Sequence, residues 1–228
     1  MLRERRIAEE LMDAEDLPAE TYAAVLADLE RVNRWTLATR PTLRFLERSI
    51  GDRRSIRLLD VGFGRGDMLR RIARWAERRR IAAELVGIDL NPRSAAIASA
   101  ATPDAAAIDY RTGDYRDLAG EGFDVVVSSL VAHHMTGTEL NDFLRFMTAE
   151  ARVGWLVNDL HRHGFAYAGY PLLARVMGVH PIVRHDGRLS IARSYRSGEW
   201  RALLAAAGVH GARIGRVFPF RLAVSWIR

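Results

Sequence analysis

The chain has 228 residues, 49% of them hydrophobic, a formal net charge of +6 and no cysteine. This length suits one α/β domain with additions and is too short for two full domains. Without cysteine there are no disulfides and no thiolate metal sites. No apolar run reaches about 18 residues, so no transmembrane helix is expected. The charged stretch 1–10 lacks the apolar block of a signal peptide, which makes the cytoplasm the expected location. All 34 basic residues are arginine, scattered among acids. Only Arg78-Arg79-Arg80 forms a run, at an expected helix end where cations suit the dipole. A nucleic-acid partner is therefore not expected.

Apolar spacing, with Pro18 and Pro41 near two starts, predicts helices over 3–12, 19–33 and 42–49. A short apolar strand follows over 55–61, then a glycine-rich loop over 62–66 and a helix over 67–80. A second strand covers 84–89. Asn91-Pro92 caps and opens an alanine-rich helix to about residue 101. Strands are predicted over 108–112, 123–129 and 153–160, with a helix over 138–150. Alternating strands and helices imply right-handed crossovers and a parallel sheet covered on both faces. The end differs. A helix over 198–207 precedes strands over 213–217 and 222–227, and the four residues between those strands cannot hold a crossover. They predict an antiparallel hairpin. The stretch 161–195 is too long for a plain connection. It carries a predicted amphipathic helix around 165–177 and a turn signal at Asp186-Gly187. The expected fold is thus α/β, a Rossmann-like doubly wound, mostly parallel sheet ending in an antiparallel hairpin. A helical cap (1–54), a core (55–160), an inserted lid (161–197) and a terminal helix with hairpin (198–228) make up one domain.

Three strand ends carry chemistry. Asp60-Val61-Gly62-Phe63-Gly64-Arg65-Gly66-Asp67 follows a strand and opens a helix. Glycines there let a ligand approach the backbone closely. A pyrophosphate would sit at such a helix start, but Asp60 and Asp67 bracket the loop with negative charge. That suits a ligand carrying an ammonium and a sulfonium better. Asp89 ends the second strand, where an acid can accept both ribose hydroxyls. Gly113-Asp114-Tyr115 follows the third strand, where an acid can accept from an adenine amino group and Tyr115 offers an amide.

In this order and at these strand ends, the three pieces resemble the class I S-adenosylmethionine-dependent methyltransferase family. The resemblance covers about 58–160 and the terminal hairpin. It implies S-adenosylmethionine as cofactor, with Gly62, Gly64, Asp89, Leu90, Asp114 and Tyr115 as contacts. It places Ser128 or Ser129 near the methionine end.

Val131-Ala132-His133-His134-Met135 follows the fourth strand and resembles the histidine segments of quinone-pathway and phenolic O-methyltransferases. His133 becomes the candidate general base and His134 its neighbour, since histidine suits proton removal at neutral pH. The alternative is a histidine that only packs the following helix. Trp35, Tyr167 and Tyr170 are the candidate acceptor contacts in a lid of apolar content. Together these readings point to O-methylation of a small aromatic or lipid-like hydroxyl. C- or N-methylation of a quinone precursor is the main alternative. RNA or protein methylation, a nicotinamide-dependent oxidoreductase and a catalytically silent binding protein are weaker ones. His161-Arg162-His163 lacks a carboxylate cluster, so no metal is expected. A homodimer is one arrangement open to the chain.

Overall fold

The computed structural model describes residues 2–104 and 106–228. Seven strands form one sheet: β1 (Ser55–Val61), β2 (Ala82–Asp89), β3 (Ile108–Thr112), β4 (Phe123–Ser129), β5 (Ala151–Leu160), β6 (Arg213–Val217) and β7 (Arg221–Ile227). Their order is β3-β2-β1-β4-β5-β7-β6. The first five are parallel, and β7 runs antiparallel to both β5 and β6. The expected closing hairpin is therefore present. The strand order reverses between β1 and β4, which opens a crevice at their carboxyl ends.

The helices are α1 (Ala19–Trp35), α2 (Arg40–Ser49), α3 (Asp67–Arg79), α4 (Pro92–Ala100), α5 (Gly137–Glu150), α6 (Gly164–Val176), α7 (Pro181–Arg193) and α8 (Ser197–Ala206). Strand side chains alternate between two cores. Leu59, Val126 and Trp155 meet Phe143 of α5 and Trp200 of α8 on one face. Leu58, Val125 and Leu156 meet Phe45 of α2 and Leu69 and Trp75 of α3 on the other. Thus α2 belongs to the body of the sheet, not to a cap. A third, small cluster joins Val25 and Val32 of α1 to Ala174 of α6 and Val183 of α7. No helix among the described residues is long and apolar enough to cross a membrane.

Two local expectations are corrected. Residues 3–12 form no α-helix; the segment is an extended strap ending in the single turn Leu11–Asp13. Its polar groups are committed to other elements. The Arg6 amide donates to the Ala192 carbonyl. The Leu11 and Met12 amides donate to the Asp186 carboxylate at 2.9 Å each. The Arg162 guanidinium donates to the Leu2 and Arg3 carbonyls. Tertiary bonds override the local helical pattern. Asp186-Gly187, expected as a turn, lies inside α7. Asp186 is buried as the acceptor for the strap. Gly187 lets the Tyr170 ring close in, because a Cβ there would sit 2.2 Å from the ring's Cζ.

Candidate active site

A cavity of about 650 Å³ lies at the crevice, walled by the β1, β2 and β4 tips, the strap, α1, α6, α7 and the β6–β7 turn. At its floor the loop after β1 holds Gly62, Gly64 and Gly66 at φ of 78°, 54° and 75°. Side chains other than glycine are strained in this left-handed region. A Cβ on Gly62 would also meet Val131 Cγ2 at 2.3 Å. Gly62→Ala should cost about 1–3 kcal/mol through strain and overpacking, read as a lower midpoint of thermal melting.

Asp89 ties this loop to β2. One carboxylate oxygen accepts from the Gly64 amide at 2.9 Å and the other from the Asn91 amide at 2.9 Å. Each oxygen keeps a second lone pair for a ligand hydroxyl. Asp60 lines the same floor and is only 2% exposed. Burial, then Asp67 and Asp89 nearby, push its pKa up to about 8. Burial also raises Asp67 and Asp89. The floor thus gathers three carboxyl groups, Asp60, Asp67 and Asp89.

The wall after β4 is a short turn, Ala132–His134. The His133 ring is buried. Its Nδ1 lies 2.8 Å from one Asp159 oxygen, and its backbone amide donates to the other at 2.8 Å. Its Nε2 lies 3.7 Å from Glu10. Burial opposes a charge on the ring, but Asp159 and Glu10 outweigh it and raise the pKa to about 9. Burial would likewise raise Glu10, yet the His133 cation brings it down to about 2. Asp159 is lowered by the same cation against its own burial. His133 is thus drawn toward its charged form between two carboxylates.

His134 has the opposite state. Burial, then the His133 charge, lower its pKa to about 4. Neutral, it lines the cavity with Nδ1 3.6 Å from Asp13 and Nε2 3.8 Å from Glu10. Burial, then Glu10, raise Asp13 to about 6. Ligand atoms of Glu10, His133 and His134 lie within 4.8 Å of one another, the group among the described residues that could gather round a cation. Glu10 already faces two positive groups, the His133 ring and the Arg193 guanidinium at 3.5 Å.

Of the residues singled out by sequence, Asp60, Gly62, Gly64, Asp89, Leu90, Tyr115, His133, His134 and Tyr170 line the cavity. Four do not. Asp114 is turned to Arg116, whose guanidinium pairs with it at 2.6 Å; Gly113 lines the wall in its place. Ser128 is buried and donates to the Val61 carbonyl at 2.9 Å, leaving Ser129 at the wall. Trp35 is 69% exposed on the outer surface. The Tyr167 ring lies under the Arg188 guanidinium, outside the cavity. Sequence reasoning missed Glu10, Asp13 and Arg221. Asp186 was noted only as a turn former.

A family model described as a methyltransferase domain matches residues 59–154. Residues 59–154 are thus similar to a methyltransferase domain. A ubiquinone biosynthesis O-methyltransferase from Azorhizobium caulinodans is 34% identical over 114 residues, which is 49% of this chain and 40% of that protein. The chain thus aligns with less than half the length of that relative. Among solved structures, the magnesium protoporphyrin IX methyltransferase of Synechocystis PCC 6803, with bound S-adenosylhomocysteine, superposes with a TM-score of 0.59 at 15% identity. It covers 95% of this chain and 91% of its own. Human N-acetylserotonin methyltransferase, with bound S-adenosylmethionine, gives 0.67 at 15% identity, over 98% and 60%. These structures share the methyltransferase fold with this chain.

S-adenosylmethionine, bound in the solved neighbour, fits the floor of the cavity. Its ammonium and sulfonium match the Asp60 carboxylate once that group has lost the proton burial holds on it at neutral pH, and its ribose matches Asp89. Asp60 then predicts a pH dependence. A cationic ligand favours the ionised carboxylate, so below about pH 8 binding must expel the Asp60 proton. Cofactor affinity should rise as pH climbs from 6 to 8 and then level. Calorimetry in buffers of different ionisation enthalpy should register proton release at pH 7. Asp60→Asn should remove that release and weaken binding about 10–100-fold, the worth of one charge-assisted contact.

Proposed function

We propose that this protein transfers the methyl group of S-adenosylmethionine to the hydroxyl of a small aromatic or lipid-like acceptor. One observation carries the reading. A single cavity joins the acidic glycine floor to the neutral His134, and its remaining wall is largely apolar, with Leu26, Leu29, Leu173, Val183 and Phe220. When bound, the cofactor supplies a methyl group already activated for in-line displacement.

The chain's own residues align the acceptor and handle its proton. The apolar wall excludes water and holds a ring or alkyl group. His134 is unprotonated at neutral pH and accepts the hydroxyl proton. Asp13, 3.6 Å from its Nδ1, stabilises the imidazolium that results. The Glu10–His133–Asp159 set, already fully charged, fixes the turn that carries His134. Tyr170 braces the roof by donating to the Val183 carbonyl at 2.8 Å.

Incubation with methyl-labelled cofactor and a panel of phenols and long-chain phenols should put label on oxygen. Label on ring carbon or nitrogen would favour the second reading, C- or N-methylation of a quinone precursor or similar ring. The low basicity of His134 is the observation behind that alternative. No transfer to any member of the panel would count against both.

A further inference from the structure

Arg221 begins β7 and lines the cavity beside Pro219 and Phe220, yet it is only 3% exposed. Its Nη2 donates to the Thr36 hydroxyl at 3.2 Å. Its Nε and Nη1 have no partner among the described residues. The other two buried arginines are paired: Arg162 with Glu199 at 2.6 Å and Arg70 with Glu30 at 3.1 Å. Arg221 has no such ion pair. Asp159 and Asp67 act on it only as more distant charges, and burial holds its pKa down to about 10. A buried cation with two idle donors is costly unless a ligand completes it. A guanidinium presents its donors in a planar fork that matches a carboxylate.

We propose that Arg221 is a carboxylate receptor in the cavity wall, completed when a ligand carboxylate meets its free Nε and Nη1 donors. The idea rests on the methyl-transfer reading only in where the carboxylate comes from. It belongs either to the amino-acid end of the cofactor or to an acidic acceptor. The acidic floor makes this role specific. Asp60, Asp67 and Asp89 suit cations, whereas Arg221 is the wall group suited to the opposite end of a zwitterion.

The test compares ligands with and without the carboxylate in the wild type, Arg221→Met and Arg221→Lys. For the cofactor source, calorimetry compares S-adenosylhomocysteine with 5′-methylthioadenosine, which lacks the amino-acid group. For the acceptor source, binding of 4-hydroxybenzoate is compared with that of phenol in the presence of S-adenosylhomocysteine. In Arg221→Met, the preference for the carboxylate-bearing ligand should fall at least tenfold in one of the two pairs, and that pair names the source. Arg221→Lys should keep part of that preference, which reports on the charge if the methionine variant folds poorly. Both preferences surviving in the variants would overturn the proposal and mean that the guanidinium is satisfied by buried solvent. All these readouts are binding, so a failure of methyl transfer leaves them intact.

Discussion

His133→Ala should lower stability by about 3–5 kcal/mol, the usual cost of leaving buried carboxylates without their cation. In a chain of this size that is a fall of about 6–20 °C in melting temperature. Glu10 and Asp159 are both buried and both depend on the His133 ring for compensation. The pH dependence has a definite sign. His133 is raised from 6.5 to about 9, so its contribution is full below about pH 6.5 and lost as pH rises through 9. Glu10 is lowered from 4.5 to about 2, so its contribution is full above about pH 4.5 and lost as pH falls through 2. Melting followed from pH 5 to 10 should show the wild type losing stability on the alkaline side and His133→Ala losing far less. A variant that melts like the wild type at every pH would remove the fixed-cation assignment.

His134→Ala should behave differently. Among the described residues the ring makes no hydrogen bond of its own at Nδ1 or Nε2, with its nearest carboxylates at 3.6 and 3.8 Å, so the fold should survive its loss. Turnover of a hydroxyl acceptor should drop about 10²–10⁴-fold, the range for a positioned base, with cofactor affinity unchanged. Asp13→Asn should lower kcat in the same direction by a smaller factor. Asp13 must be ionised to stabilise the imidazolium, so the wild-type rate should fall as pH drops through the Asp13 value of about 6, and further through the His134 value of about 4. If His134→Ala turns over normally, the proton leaves by another route and the ring-methylation alternative gains.

The sheet was legible because its signals are local. Runs such as Val125-Val126-Val127 read as buried strands, and the four residues 218–221 allow only a hairpin. The glycine loop was legible for the same reason, since its spacing sits within eight residues. The histidine pair was visible as a pair, but its protonation was not. That depends on Glu10 and Asp159, which reach His133 from the far N-terminus and from β5. No period or motif marks such contacts. The strap was misread because residues 3–12 have helical spacing, while their amides and carbonyls bond to α7 and to Arg162. Asp114 sat where the family pattern wants it, and Arg116, two residues on, turned it aside.

The strap has little apolar anchorage: Met12, partly buried, packs against the small cluster of α1, α6 and α7. Ile7 is 85% exposed and Leu11 48% exposed, so hydrophobic burial does little to hold the segment down. Arg5, Glu10, Arg162 and Asp186 hold it instead, through charge-assisted bonds. Its grip therefore rests more on charged groups than on apolar burial. One side of the reaction chamber can loosen while the seven strands beneath keep their register.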